Sequence, residues 1–176
     1  MKVSIFGGSS PKPGEYQYQE AYRLGKSLAE MGHVVITGGY IGTMEAVSKG
    51  ASEVHGHVVG VTCDEIEAWR PVSPNPYIVE EWRFSTVRER LFKLIDACEL
   101  ALALPGGIGT LAEVSLMWSN LQTGAISPRP LILIGSGWQK MVATFYREFN
   151  GYIPARYLHL VTLASTVDEA IQIISR

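Results

Sequence analysis

Three short apolar runs in this chain stop on glycine, and each stop is followed by a helical pattern. Val3–Phe6 ends at Gly7-Gly8-Ser9-Ser10. His33–Thr37 breaks into Gly38-Gly39-Tyr40-Ile41-Gly42-Thr43-Met44, and Leu100–Leu104 into Pro105-Gly106-Gly107-Ile108-Gly109-Thr110. The Leu100 run has the composition of a buried parallel strand. Strand, glycine turn and helix, repeated at this spacing, predict a parallel sheet with helices on both faces, joined by right-handed crossovers. The three turns then fall at the carboxyl ends of the strands, where open sheets of this kind bind ligands.

The rest of the chain keeps the alternation. Helices are predicted from about Tyr16 to Met31, from the second glycine turn to Val54, from Ser85 to Cys98 and from Thr110 to Thr123. Two more follow at Trp138–Phe149 and Thr166–Ile174, the last with Ser165 as N-cap. Further strands are expected at Val58–Thr62, Arg129–Gly135 and Leu158–Leu163. Only Cys63–Trp82 breaks the rhythm, with prolines, acids and one short strand candidate, Tyr77–Val79. Such an excursion is either a lid or binding loop, or a plain surface loop. The expected fold over residues 1–176 is a single α/β, Rossmann-like domain.

With 176 residues, 47% of them hydrophobic and 18% charged, the chain can bury a core without disulfides or metal. A net charge of −2 offers no electrostatic case for nucleic acid or a membrane surface as partner. Cys63 and Cys98 form neither a disulfide framework nor a zinc pattern, and His55 and His57 lack acidic or Cys partners at ligand spacing, so no metal is expected. No run is apolar enough to span a bilayer and the N-terminus reads as a strand, so the expected location is the cytoplasm.

The segment Leu100–Glu113 carries the chemistry. A strand that turns on glycine into a helix leaves backbone N–H groups at the positive end of the helix dipole, a natural seat for a phosphate. Gly107-Ile-Gly109-Thr-Leu-Ala112 satisfies G-x-G-x-x-[G/A], but the next strand has no acid at its end to hold the ribose hydroxyls of a dinucleotide. No G-x-x-x-x-G-K-[S/T] occurs, which argues against a P-loop triphosphatase. A mononucleotide or sugar phosphate remains.

Pro105-Gly-Gly-Ile-Gly-Thr110-Leu-Ala-Glu113 matches the PGGxGTxxE motif of the LOG family, the cytokinin-activating phosphoribohydrolases often mislabelled as lysine decarboxylases. Phe6–Ser10 resembles the family's opening GSS turn, and Thr37–Met44 its GGGxxGLM turn. Where the family carries an Arg-Lys pair, this chain has Arg90 and Leu91. The resemblance covers most of the chain and implies hydrolysis of the N-glycosidic bond of a nucleoside 5′-monophosphate, AMP or an N6-modified AMP. It implies Glu113 and Arg90 as catalytic residues, no cofactor, and a homodimer. Gly8, Ser9, Gly39, Gly42, Met44, Gly106, Gly107, Gly109 and Thr110 are the corresponding substrate-binding residues.

Bond cleavage builds positive charge on the ribose, which a carboxylate stabilises, and Glu113 can do this or deprotonate the attacking water. Thr110–Glu113 also reads as a capping box, and Arg90, on the border of its helix's apolar stripe, as a snorkelling arginine. Ser9 and Ser10 read equally as turn residues. None of the six lysines lies at a strand end or glycine turn, so a pyridoxal decarboxylase is rejected. Related carriers, such as the molybdenum-cofactor carrier proteins, hold a phosphorylated ligand without cleaving it, and Leu91 keeps that alternative open.

Overall fold

The computed structural model describes residues 1–175. Seven strands pair in parallel in one sheet: β1 (Lys2–Phe6), β2 (Val34–Thr37), β3 (Val58–Cys63), β4 (Glu80–Phe84), β5 (Leu100–Ala103), β6 (Leu131–Ile134) and β7 (Thr162–Ala164). Their spatial order is β4-β3-β2-β1-β5-β6-β7. β1 is flanked by β2, with Val3 opposite Val35, and by β5, with Val3 opposite Leu100. The order reverses there, so the carboxyl ends of β1 and β5 flank the topological switch point.

Helices α1 (Tyr16–Glu30), α2 (Thr43–Glu53), α3 (Asp64–Trp69), α4 (Val87–Asp96), α5 (Ile108–Thr123) and α6 (Ser136–Glu148) connect the strands, and α7 (Val167–Ile174) follows β7. Two apolar clusters sandwich the sheet. In one, Leu24 and Leu28 of α1, Val47 of α2 and Val167 of α7 pack against Val3, Ile5 and Leu102. In the other, Leu94 and Ile95 of α4, Met117 of α5 and Val142 of α6 pack against Ile36, Val59 and Leu133. No helix among the described residues is long and apolar enough to cross a membrane.

Close packing of α1 on α2 requires glycine. A Cβ on Gly25 would fall 2.1 Å from the Val47 carbonyl oxygen, and one on Gly50 would fall 2.0 Å from that of Tyr22. Gly25→Ala is therefore expected to force the helices apart and cost about 3 kcal/mol. A drop in the urea unfolding midpoint checks this, and an unchanged midpoint contradicts it.

Four expectations need correction. The segment 63–82 is not one loop: α3 fills its first part, and the strand is Glu80–Phe84 rather than Tyr77–Val79. That strand is an edge, paired only with β3, and its residues are exposed or half-buried, so it lacks an apolar run. Residues Ala155–Leu160 form a 3-10 turn, which shortens the last strand to Thr162–Ala164. The N-cap of α7 is Thr166, which accepts from the Glu169 amide, while the Ser165 amide donates to the Glu169 carboxylate.

Candidate functional site

The three glycine turns are stitched together by backbone hydrogen bonds. The Gly8 amide donates to the Pro105 carbonyl (3.1 Å), and the Thr43 amide donates to the Gly8 carbonyl (2.9 Å). Trp138 Nε1 donates to the Leu104 carbonyl (3.2 Å), tying α6 to the end of β5. Gly42 has a positive φ of +72°, and a Cβ there would sit 2.5 Å from the Ser9 backbone. The first turn thus rests directly on the second.

From this platform α5 begins at Ile108 with Gly107 as its N-cap. The amides of Ile108, Gly109 and Thr110 then have no carbonyl partner inside the helix, and Gly106 to Gly109 are exposed. An anion docked there meets both N–H donors and the helix dipole. Thr110 is buried instead, its hydroxyl turned so that a Cβ on Gly106 would fall 2.1 Å from Oγ1.

One turn further, Glu113 is buried, 9% exposed. The capping-box alternative does not hold, because Thr110 lies inside the first turn rather than at the N-cap. The carboxylate faces Arg90, with Nη1 and Oε1 4.0 Å apart. Burial pushes the Glu113 carboxyl up to about 7, against the pull of the Arg90 charge. A carboxyl poised near neutrality can serve as general base or as cation stabiliser.

Arg90 is equally buried, and α4 aims it at the second turn. Its Nε donates to the Val61 carbonyl (2.7 Å) and its Nη2 to the Gly38 carbonyl (2.9 Å), with Met44 Sδ 3.9 Å away. The guanidinium carbon lies 5.7 Å from the centre of the Tyr40 ring. A Thr86–Glu89 capping box starts α4 and fixes the helix that presents the arginine. Arg90 is thus a locked side chain, not a snorkelling one.

Ser9 is half-buried, and Met44 joins the Arg90 cluster. Gly8 spends its amide and carbonyl on the neighbouring turns, so its part is to join them. Gly39 has both backbone groups engaged within the protein. Its φ is +82°, its amide donates to Thr37 Oγ1, and its carbonyl accepts from the Asn75 amide and side chain. His57 meets Glu80 at the exposed edge, and His55 is exposed. Among the described residues, no cluster of three or more His, Cys, Asp or Glu side chains is placed to hold a metal.

A cavity of about 460 Å³ opens at the carboxyl ends of β1, β5 and β6. Gly8, Ser10, Gly106 and Gly107 form one wall, and Tyr16, Glu20 and Thr166 another. Arg90 and Glu113 do not line it; the Gly106-Gly107 turn is what the cavity shares with the helix that carries Glu113.

Three residues of the site lay outside the sequence reading: Tyr40, Asn75 and Arg70. The Tyr40 hydroxyl bonds the Cys63 backbone, and Asn75 Nδ2 donates to the carbonyls of Gly39 (3.1 Å) and Tyr40 (3.0 Å). Tyr40 pins the second turn to the end of β3, and Asn75 pins it to the segment before β4. Arg70 Nη1 donates to Ser9 Oγ (3.2 Å). Tyr40 was detectable as the one aromatic inside a glycine turn; Asn75 and Arg70 carry no local signal.

The chain is similar in sequence and fold to known proteins. A family model described as the SLOG cluster4 family matches residues 1–145. The cytokinin riboside 5′-monophosphate phosphoribohydrolase LOG of Oryza sativa subsp. japonica is 32% identical over 156 residues, covering 86% of this chain and 60% of that protein. The pyrimidine/purine nucleotide 5′-monophosphate nucleosidase of Escherichia coli (strain K12) is 30% identical over 158 residues, 86% of this chain but 34% of that one. A solved molybdenum cofactor binding protein from Rippkaea orientalis shares the fold. Its TM-score is 0.76 over 99% of this chain and 94% of that one, at 23% identity. The family match runs from the first strand into α6, through every turn and helix that builds the site, and the chain belongs to the SLOG cluster4 family.

Proposed function

We propose that the chain hydrolyses the N-glycosidic bond of a nucleoside 5′-monophosphate, AMP or an N6-modified AMP, to free base and ribose 5-phosphate. The observation that carries this reading is the buried Glu113 carboxyl, facing Arg90 at 4.0 Å, one turn inside a helix with an open, glycine-lined N-terminus. The 5′-phosphate seats on the Gly107–Thr110 amides and anchors the ribose, so that binding energy remote from C1′ positions the reacting carbon beside Glu113. As the C1′–N bond breaks, its electron pair leaves with the base, which takes up a proton. The ionised carboxylate stabilises the cationic ribose and accepts a proton from the water that bonds to C1′. Arg90, facing the carboxylate at 4.0 Å, favours its ionised form against the burial that holds the proton on. Relatives named as a nucleotide phosphoribohydrolase and a nucleotide nucleosidase support the class of reaction.

A second reading, a carrier that binds a phosphorylated ligand without cleaving it, is favoured by Leu91 where the LOG motif has lysine. The shared fold of the cofactor-binding protein is compatible with it. Incubation with AMP, GMP, CMP and UMP, followed by chromatography for free base, separates the two. Base release from at least one is expected; binding without release from any supports the carrier.

We propose the outer face of α5 and α6 as the interface of a homodimer, since Trp118, Phe145 and Phe149 line an apolar groove of about 540 Å³ there and Leu111 is exposed. Light scattering is expected to give twice the 19.3 kDa chain mass, and Leu111→Asp to lower it. A monomeric parent protein would contradict this assignment.

A further inference from the structure

Two arginines reach the glycine turns, and they differ in what their donors already do. Arg90 is committed: Nε to Val61, Nη2 to Gly38, Nη1 toward Glu113. Arg70, at the C-terminal end of α3, is not. Its Nη1 donates to Ser9 Oγ at 3.2 Å, while its Nε is buried and has no partner among the described residues. The acids of its own helix are engaged elsewhere. Asp64 and Glu67 pair with Arg83, and Glu65 accepts from the Val87 amide. No carboxylate among the described residues lies within 4.0 Å of the Arg70 guanidinium. The exposed ring of Trp69 lies 5.5 Å from the guanidinium carbon.

The location gives this spare cation a use. Ser9 rests on Gly42 of the second turn and follows Gly8, whose amide is bonded to Pro105 of the third. A phosphate on the amides of α5 carries close to two negative charges at neutral pH, and a helix N-terminus opposes roughly half of one. Position 91 supplies no cation: Leu91 packs into the apolar cluster between α4 and the sheet.

We propose that Arg70 binds the 5′-phosphate of the nucleotide, its guanidinium oriented by Ser9, and so supplies the charge that position 91 lacks. The proposal rests on the nucleotide reading of the site but not on turnover. A guanidinium with free N–H groups can grip a phosphate through two parallel hydrogen bonds, which a lysine ammonium cannot do. Arg70 would be a specificity residue that separates a nucleotide from its nucleoside.

Calorimetric binding of ribose 5-phosphate to the parent protein, and of AMP and adenosine on a Glu113→Gln background that prevents turnover, tests it. Arg70→Ala is expected to weaken both phosphorylated ligands about 30-fold and leave adenosine within twofold, with Arg70→Lys in between. Unchanged affinity for AMP and ribose 5-phosphate in Arg70→Ala would overturn the proposal. So would an equal loss for adenosine, or a parent protein that binds AMP no better than adenosine. The two readings fail separately. AMP bound in an Arg70-dependent way but never cleaved rejects hydrolysis and keeps the phosphate contact; base release insensitive to Arg70 does the reverse.

Discussion

Glu113→Gln is expected to abolish base release and, above pH 7, to make the protein harder to unfold. Both effects come from the same burial. In the folded chain the carboxyl keeps its proton up to about pH 7, whereas its ordinary value is 4.5. Between those values the folded state binds the extra proton, so this group's contribution to stability falls as pH rises from 4.5 to 7. Above pH 7 the buried charge costs its full penalty, and a neutral glutamine does not incur it. The rise of the carboxyl to about 7 already includes the attraction to Arg90, so the gain is up to about 3 kcal/mol, or several degrees in Tm for a domain of this size. At pH 5 the two proteins should unfold at nearly the same temperature. Turnover should fall by at least about 100-fold, since glutamine neither stabilises a cation nor accepts a proton. In the parent protein kcat/KM should rise with pH through about 7 as the carboxyl ionises. A Glu113→Gln protein that keeps its activity, or loses stability at pH 8, would contradict this role.

Arg90→Ala should be the most damaging single change to the site. It removes the donors from the Val61 and Gly38 carbonyls and the charge that opposes Glu113, and it leaves a void beside Tyr40 and Met44. Losing a buried, hydrogen-bonded cation costs about 3 kcal/mol, which is about 10 °C in Tm for a chain of this length. Without Arg90 the Glu113 carboxyl holds its proton to higher pH, so residual activity should appear only on the alkaline side. Arg90→Lys restores a charge but not a planar fork that serves two carbonyls and a carboxylate at once. It should recover part of the pH profile and little of the stability. Thermal unfolding and a pH–rate profile of the two variants check this; an Arg90→Ala protein as stable as the parent would contradict it.

Much of the architecture was legible because buried parallel strands declare themselves. LALA, VVIT and LILI are apolar on both faces, and each ends on a glycine turn or beside one. The elements that escaped do not bury a face. Helix α3, DEIEAW, has no buried residue, and β4, EEWRF, is a charged edge strand held by Arg83 and by pairing with β3. In the site, the resemblance to the LOG motif pointed to Arg90 and Glu113, which the structure brings within 4.0 Å of each other. The work done by Gly8 and Gly39 was not legible, since a glycine letter does not say whether its amide faces a ligand or a neighbouring turn. Arg70 was invisible for a related reason. Its partner Ser9 is 61 residues away, and only the closure of the sheet brings the two together.

The most direct measurement incubates the protein with AMP near pH 7.5 and quantifies adenine and ribose 5-phosphate in the same samples. Hydrolysis at C1′ predicts that the two appear in equal amounts, in parallel, and in neither case with Glu113→Gln. AMP that binds and stays intact, or that loses inorganic phosphate instead of adenine, would contradict the assignment of Glu113 to glycosidic-bond cleavage.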